Sequence, residues 1–223
     1  MESLAAAGRF VLLHRLKEGQ HMKIAVYGAT GMIGSRIVAE AAKRGHEVTS
    51  VSRSGSLVQG AASSATAEFG DMHAYRALAR ANDVVVFSVP PSRTGDSHQG
   101  FLDAHEEISE TLVPARVFLV GGAGATESDG VRLSETPGFP EENLAEARTM
   151  GEVLDFYTSA SGLDWTMLAP APVITIGEPT GSIALGNDSP AGAEVTTGDF
   201  AVAVLDELEE PKHLHRRFTV ASA

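Results

Sequence analysis

No cysteine occurs among the 223 residues. That removes disulfides, cysteine-ligated zinc and thiol catalysis together. Positive charge is also scarce: 17 Lys and Arg stand against 29 Asp and Glu, a formal net charge of −12. Nucleic-acid phosphates and anionic membrane surfaces repel such a chain, so neither is expected as a partner. No apolar run approaches the roughly 20 residues that cross a bilayer, and the expected location is the cytoplasm. No metal centre is expected. No internal repeat, low-complexity tract or linker interrupts the chain. Hydrophobic residues at 43% and charged residues at 21% are ordinary for a globular protein. The length suits one α/β domain, assigned to residues 22–223, with ample material for a core.

Residues 1–21 read as an N-terminal extension. Arg9, Arg15 and Lys17 flank the apolar Phe10-Val-Leu-Leu13, a run too short for a secretory signal. Residues 3–16 suit a short amphipathic helix. The alternatives are a disordered arm or an upstream mis-assigned start.

The most informative stretch is Lys23-Ile-Ala-Val-Tyr-Gly-Ala-Thr-Gly-Met-Ile-Gly34. An apolar run leads into glycines at 28, 31 and 34, and an amphipathic helical pattern follows. Strand, glycine turn and helix together receive a dinucleotide pyrophosphate on backbone N–H groups at a helix N-terminus. In this pattern Gly28 takes the tight turn and Gly31 admits the phosphates. Gly34 lets the helix pack on the strand.

The helix is expected from Met32 to Lys43 or Arg44, ended by Gly45, with a second strand over 46–52. A protein reading the free ribose hydroxyl of NAD places an Asp or Glu at the end of that strand. Ser52, Arg53 and Ser54 stand there instead. A guanidinium beside hydroxyls suits a 2′-phosphate, so NADP(H) is favoured over NAD(H). Farther on, a short strand is expected over 65–69, then a helix over 72–80. Asp71 suits a cap on that helix and also an acceptor for an adenine amino group, two compatible roles. The apolar run 83–88 reads as a central parallel strand. The loop 92–100 then carries Arg93, Asp96 and His98 and reads as a mobile substrate lip.

A helix over 101–112 and a strand over 116–120 come next, the strand emptying into Gly121-Gly-Ala-Gly124. Glycines at a strand end suggest that something flat approaches the backbone. Residues 125–140 are a long connection without periodicity. A helix over 141–161, a strand over 164–168 and a small edge strand over 181–185 are expected after it. Thr197-Gly-Asp199 is expected to cap a last helix over 200–208, before a final strand over 217–220. The fold class is α/β: a doubly wound, mostly parallel Rossmann sheet with helices on both faces. A small C-terminal extension is expected on the substrate side.

With these residues assembled, the chain resembles the atypical short-chain dehydrogenase/reductases. Within them it is most similar to the NAD(P)-binding group of NADH-flavin-reductase-like, NmrA-like and biliverdin-reductase-B-like proteins. The residues that carry the resemblance are Tyr27–Gly34, Phe118–Gly124, Pro137-Gly-Phe-Pro140 and Leu163–Ala171. Asp199–Asp206 and Arg216–Val220 add to it. The resemblance implies that Gly28, Thr30, Gly31, Met32, Ile33 and Gly34 hold the pyrophosphate. It places Arg53 and Ser54 at the 2′-phosphate, Asp71 and Met72 by adenine, and Ser88 and Val89 by the ribose. Gly121, Gly122 and Ala123 would surround the nicotinamide together with Pro170, Ala171 and Pro172.

The wider superfamily carries a Tyr-x-x-x-Lys pair on the helix after the fifth strand, where the Tyr protonates a carbonyl. No such pair occurs in this chain. Leu144 and Arg148 align there, and Arg148 is left to orient the cofactor, since a guanidinium cannot act as a general acid. The expected activity is therefore NADPH-dependent hydride transfer to a flavin or similar flat acceptor, which takes its proton from solvent. The flavin is then substrate rather than prosthetic group, with His98 and Phe139 beside it. The alternatives are a non-catalytic, NADP-sensing regulator and an isomerase or epimerase using Asp96, His98 or His105. The expected partner is a small molecule, and the expected assembly is a monomer or homodimer.

Overall fold

The computed structural model describes residues 21–223; the expectations for the N-terminal extension lie outside the described residues. β1 (Lys23–Tyr27) is followed by α1 (Met32–Lys43), β2 (Glu47–Ser52), β3 (Ser63–Thr66) and α2 (Met72–Ala81). β4 (Val84–Phe87), α3 (Gln99–Glu110) and β5 (Arg116–Val120) come next. A hairpin of β6 (Glu127–Ser128) and β7 (Val131–Arg132) precedes α4 (Glu141–Ser159) and β8 (Trp165–Pro170). β9 (Val173–Thr175), β10 (Ile183–Gly186), β11 (Glu194–Thr196), α5 (Thr197–Glu209) and β12 (Arg216–Ser222) complete the chain.

Eight strands form one sheet in the order β10-β12-β8-β5-β4-β1-β2-β3. All neighbours are parallel except β10, which runs antiparallel to β12. The order reverses at β1, which lies between β2 and β4. Such a reversal opens a crevice at the carboxyl ends of the strands.

Alternation along each strand sorts side chains into two cores. Ile24 and Val26 of β1 point to one face, where they meet Ile33, Ile37 and Val38 of α1 and Phe200 and Val204 of α5. Ala25 and Tyr27 point to the other, where Tyr75 of α2, Ile108 of α3 and Val153, Leu154 and Tyr157 of α4 cover the sheet. Runs such as Val84–Phe87, buried throughout, are explained by this double cover. The doubly wound α/β sheet read from the sequence is the one observed.

Four local differences have physical causes. β3 begins at Ser63 rather than Ala65 because Thr49 and Ser50 side chains bond Ser63 at 2.9 and 3.3 Å, which fixes the register. Phe69 leaves the strand to pack against Phe87, Phe101 and His105. The cap of α5 is Thr196, whose hydroxyl accepts from the Asp199 amide at 3.0 Å. Asp199 instead accepts from the Thr180 amide at 2.8 Å and from the Ser222 hydroxyl, tying the C-terminal extension to the sheet. The connection 125–140 is not structureless: it follows a 3-10 turn at Ala123–Ala125 and holds the β6–β7 hairpin and a second 3-10 turn at Leu133–Glu135. Arg132 of β7 crosses α4 at Gly151 to reach Asp155. A Cβ on Gly151 would stand 2.9 Å from the Arg132 guanidinium, so this glycine, a residue that costs about 1 kcal/mol against Ala inside a helix, gives that side chain room to cross.

Candidate functional site

β1 ends in Gly28 at φ +71°, a left-handed conformation that a side chain resists. Its N–H donates to Val51 O at 3.2 Å, and its carbonyl accepts from Gly31 N at 2.9 Å. A Cβ at Gly28 would lie 2.2 Å from Ser88 O, and one at Gly34 would lie 2.2 Å from Gly28 O. The turn therefore brings the exits of β1, β2 and β4 together at the N-terminus of α1. No side chain caps that helix, and Thr30, Gly31 and Met32 are exposed. Ile33 and Gly34 are buried beneath them. Uncapped first-turn amides at a helix N-terminus form an anion cradle. These residues fit a pyrophosphate.

Beyond Val51, Arg53 is exposed and makes no hydrogen bond or ion pair among the described residues. Its loop gathers hydroxyls: Ser54 Oγ is 2.7 Å from Ser56 Oγ, and Ser52 Oγ accepts from the Ser56 amide at 3.1 Å. Asp71 caps α2, one carboxylate oxygen accepting from His73 N and Ala74 N at 3.0 Å each. Met72 is buried beside it. Ser88 and Val89 are half-buried at the exit of β4.

The second glycine cluster lies where other elements of the protein pack closely. A Cβ at Gly121 would meet Met167 at 2.9 Å, one at Gly122 Met150 at 3.2 Å, and one at Gly124 Ala147 at 2.1 Å. These glycines let α4 and β8 close on the turn, and at Gly124 the Ala147 backbone leaves no room for a Cβ. Phe139 is brought to the same place, its ring tip 3.3 Å from the Cβ position of Gly124. Pro170 and Ala171 are buried and Pro172 is exposed. Arg217 of β12, itself 5% exposed, braces the turn from behind by donating to Ala125 O and, at 2.7 Å, to Asp188. Nothing in the sequence around Arg217 signalled that role.

The polar groups proposed for proton transfer are committed elsewhere. His98 Nδ1 lies 2.7 Å from Thr149 Oγ1 and its Nε2 2.7 Å from Ser92 O. Asp96 accepts from the Ser92 and Thr94 hydroxyls at 3.0 and 2.6 Å, which shapes its own loop and holds its carboxyl below the usual range. His105 is 2% exposed, bonded to Tyr157 Oη at 3.1 Å and packed among Phe69, Phe87 and Phe101. Arg148 follows Ala147, so it leaves α4 about 100° round from the contact with Gly124, and it is exposed. No cluster of His, Asp or Glu suited to a metal occurs among the described residues, and no described helix is long and apolar enough to cross a membrane.

Burial pushes the His105 imidazole down to about 3. In the unfolded chain it takes up a proton below about 6.5. Between those values the unfolded state binds the extra proton, so stability falls as pH drops from about 6.5 toward 3 and is untouched above that window. At pH 5 the cost is on the order of 2 kcal/mol. Urea unfolding of the wild type is expected to lose that much more between pH 7 and pH 5 than His105→Phe loses. Parallel losses would refute it.

Residues 28–211 match the model of a family described as NAD(P)H-binding. The chain belongs to that family. Membership makes a nicotinamide dinucleotide its cofactor, in agreement with the cradle at Gly28–Gly34. Among family relatives, the uncharacterized protein YwnB of Bacillus subtilis strain 168 is 36% identical over 217 residues, covering 90% of this chain and 99% of YwnB. A Streptococcus pneumoniae TIGR4 protein, provisionally named a NADH-flavin reductase, has a similar solved structure. It superposes with a TM-score of 0.81 at 30% identity, covering 91% of this chain and all of the other. A provisionally named epimerase from Bacteroides thetaiotaomicron superposes at 0.77 with 29% identity, covering 91% and 98%.

Proposed function

We propose that the protein is an NADPH-dependent oxidoreductase that delivers hydride to a flavin or another flat, conjugated acceptor. One observation carries the reading: the uncapped first turn of α1 beside Gly28 suits a dinucleotide, while the three proton-transfer candidates read from the sequence, His98, Asp96 and His105, are each bonded or buried. Phe139 and the backbone of Gly121–Gly124 form a floor. The reduced nicotinamide supplies the hydride. The chain's own contribution is to hold the dinucleotide on the α1 amides and to offer an apolar, flat surface on which an acceptor ring aligns. An acceptor protonated by solvent needs nothing more. What supports NADPH over NADH is Arg53 with the Ser52, Ser54 and Ser56 hydroxyls, a set suited to a phosphate dianion.

Epimerisation requires groups that remove and return a proton at the floor, and the candidates for that work are otherwise engaged. The test is steady-state oxidation of NADPH and NADH with FMN, riboflavin and a quinone. Turnover well above the uncatalysed rate with at least one acceptor, and faster with NADPH, is expected. Tight NADPH binding without turnover of any of them would instead point to a regulatory dinucleotide binder.

A further inference from the structure

The loop between β4 and α3 is fastened to α4 at two points, neither of which belongs to the cofactor cradle. Arg93 makes a two-pronged ion pair with Glu146, Nε and Nη2 each 2.7 Å from a carboxylate oxygen. His98 bridges Thr149 and Ser92 at 2.7 Å each. The anchors sit on the turn of α4 that also packs under the glycine floor. Ala147, next to Glu146, meets Gly124, and Met150, next to Thr149, meets Gly122. At its other end the loop starts from Ser88, whose carbonyl abuts Gly28. The segment thus runs from the dinucleotide turn to the back of the floor and closes one side of the crevice.

We propose that Glu146 and Thr149 are positioning residues, which hold the Ser92–His98 segment as the wall against which the acceptor docks. The inference rests on the oxidoreductase reading for its acceptor and on the geometry alone for its clamp. The turn of α4 that packs against the glycine floor is here given to anchoring a loop. The clamp is a light one. Arg93 is 66% exposed at its side chain, and an exposed pair of good geometry shifts an equilibrium by about fivefold. Thr149, by contrast, is buried, and its hydroxyl also lies 3.0 Å from Ala145 O.

Two readouts test this on the full chain. Trypsin cuts after Arg93, so Glu146→Gln should be cleaved at Arg93–Thr94 about fivefold faster than the wild type, and Thr149→Val should also be cleaved faster. With FMN as acceptor, both variants should raise the FMN KM by about the same factor while kcat, the NADPH Kd and the melting temperature of Glu146→Gln stay near wild type. The charge swap Arg93→Glu with Glu146→Arg should restore the KM. Wild-type cleavage rates overturn the clamp. Faster cleavage with an unchanged FMN KM, or parallel losses in NADPH and FMN binding, overturn the docking wall. A wild type that turns over no acceptor defeats the oxidoreductase reading and the docking wall with it, and leaves the clamp to be decided by cleavage.

Discussion

Gly28→Ala is expected to lose dinucleotide binding altogether and to destabilise the fold by about 3 kcal/mol or more. Two costs combine. At φ +71° any side chain carries a penalty of roughly 1–2 kcal/mol. The added Cβ would also sit 2.2 Å from Ser88 O, and that carbonyl cannot retreat freely. Ser88 N is bonded to Tyr27 O at 3.0 Å, and the turn itself is held by Gly28 N on Val51 O. Relief of the clash must push β4 from β1 or open the turn, and either movement turns the α1 amides away from an anion. Gly130 is the internal control. It has φ +78° but nothing within 4 Å of its Cβ position, so Gly130→Ala should incur only the backbone penalty and keep NADPH affinity. Urea unfolding and NADPH fluorescence titration on both variants make the comparison. Normal NADPH affinity in Gly28→Ala would remove the cradle from the cofactor site.

The cradle was legible in the sequence because its strand, turn and helix are local, although Val51 and Ser88 brace the turn from other strands. Strand, turn and helix occupy residues 23–43, and the spacing of three glycines reports a contact between near neighbours. The second glycine cluster was visible but its reason was not. Gly121, Gly122 and Gly124 answer to Met167, Met150 and Ala147, which approach from another strand and helix. Glycine spacing records that something comes close; only the packing says what does. The β6–β7 hairpin escaped because strands of two residues are too short to show a period.

His98 shows how much lies beyond local sequence. A lone His in a polar loop suggests chemistry, yet both ring nitrogens are bonded to Ser92 and Thr149. Its partner lies 51 residues away and carries no motif. The ion pair of Arg93 with Glu146 spans a similar gap. Long-range polar pairs of this kind decide how a loop lies, and they leave no trace in local composition.

Arg53→Glu is expected to weaken NADPH binding about 100-fold and NADH binding by no more than about threefold. The size follows from two parts. Loss of charge-assisted hydrogen bonds to a phosphate amounts to roughly 1.5–3 kcal/mol, and a carboxylate beside a phosphate dianion adds repulsion. NADH has no 2′-phosphate, so it should feel only a change in an exposed loop charge. The fold should be indifferent, since Arg53 makes no bond among the described residues and lies on the surface. Arg53→Ala should fall between, because the Ser52, Ser54 and Ser56 hydroxyls remain and can still donate. Paired titrations of NADPH and NADH against both variants read the difference directly. Raising the salt concentration should shrink it, since the contact is exposed to screening ions. Equal losses for the two dinucleotides would make Arg53 a solvated loop charge and leave the cofactor preference to other residues.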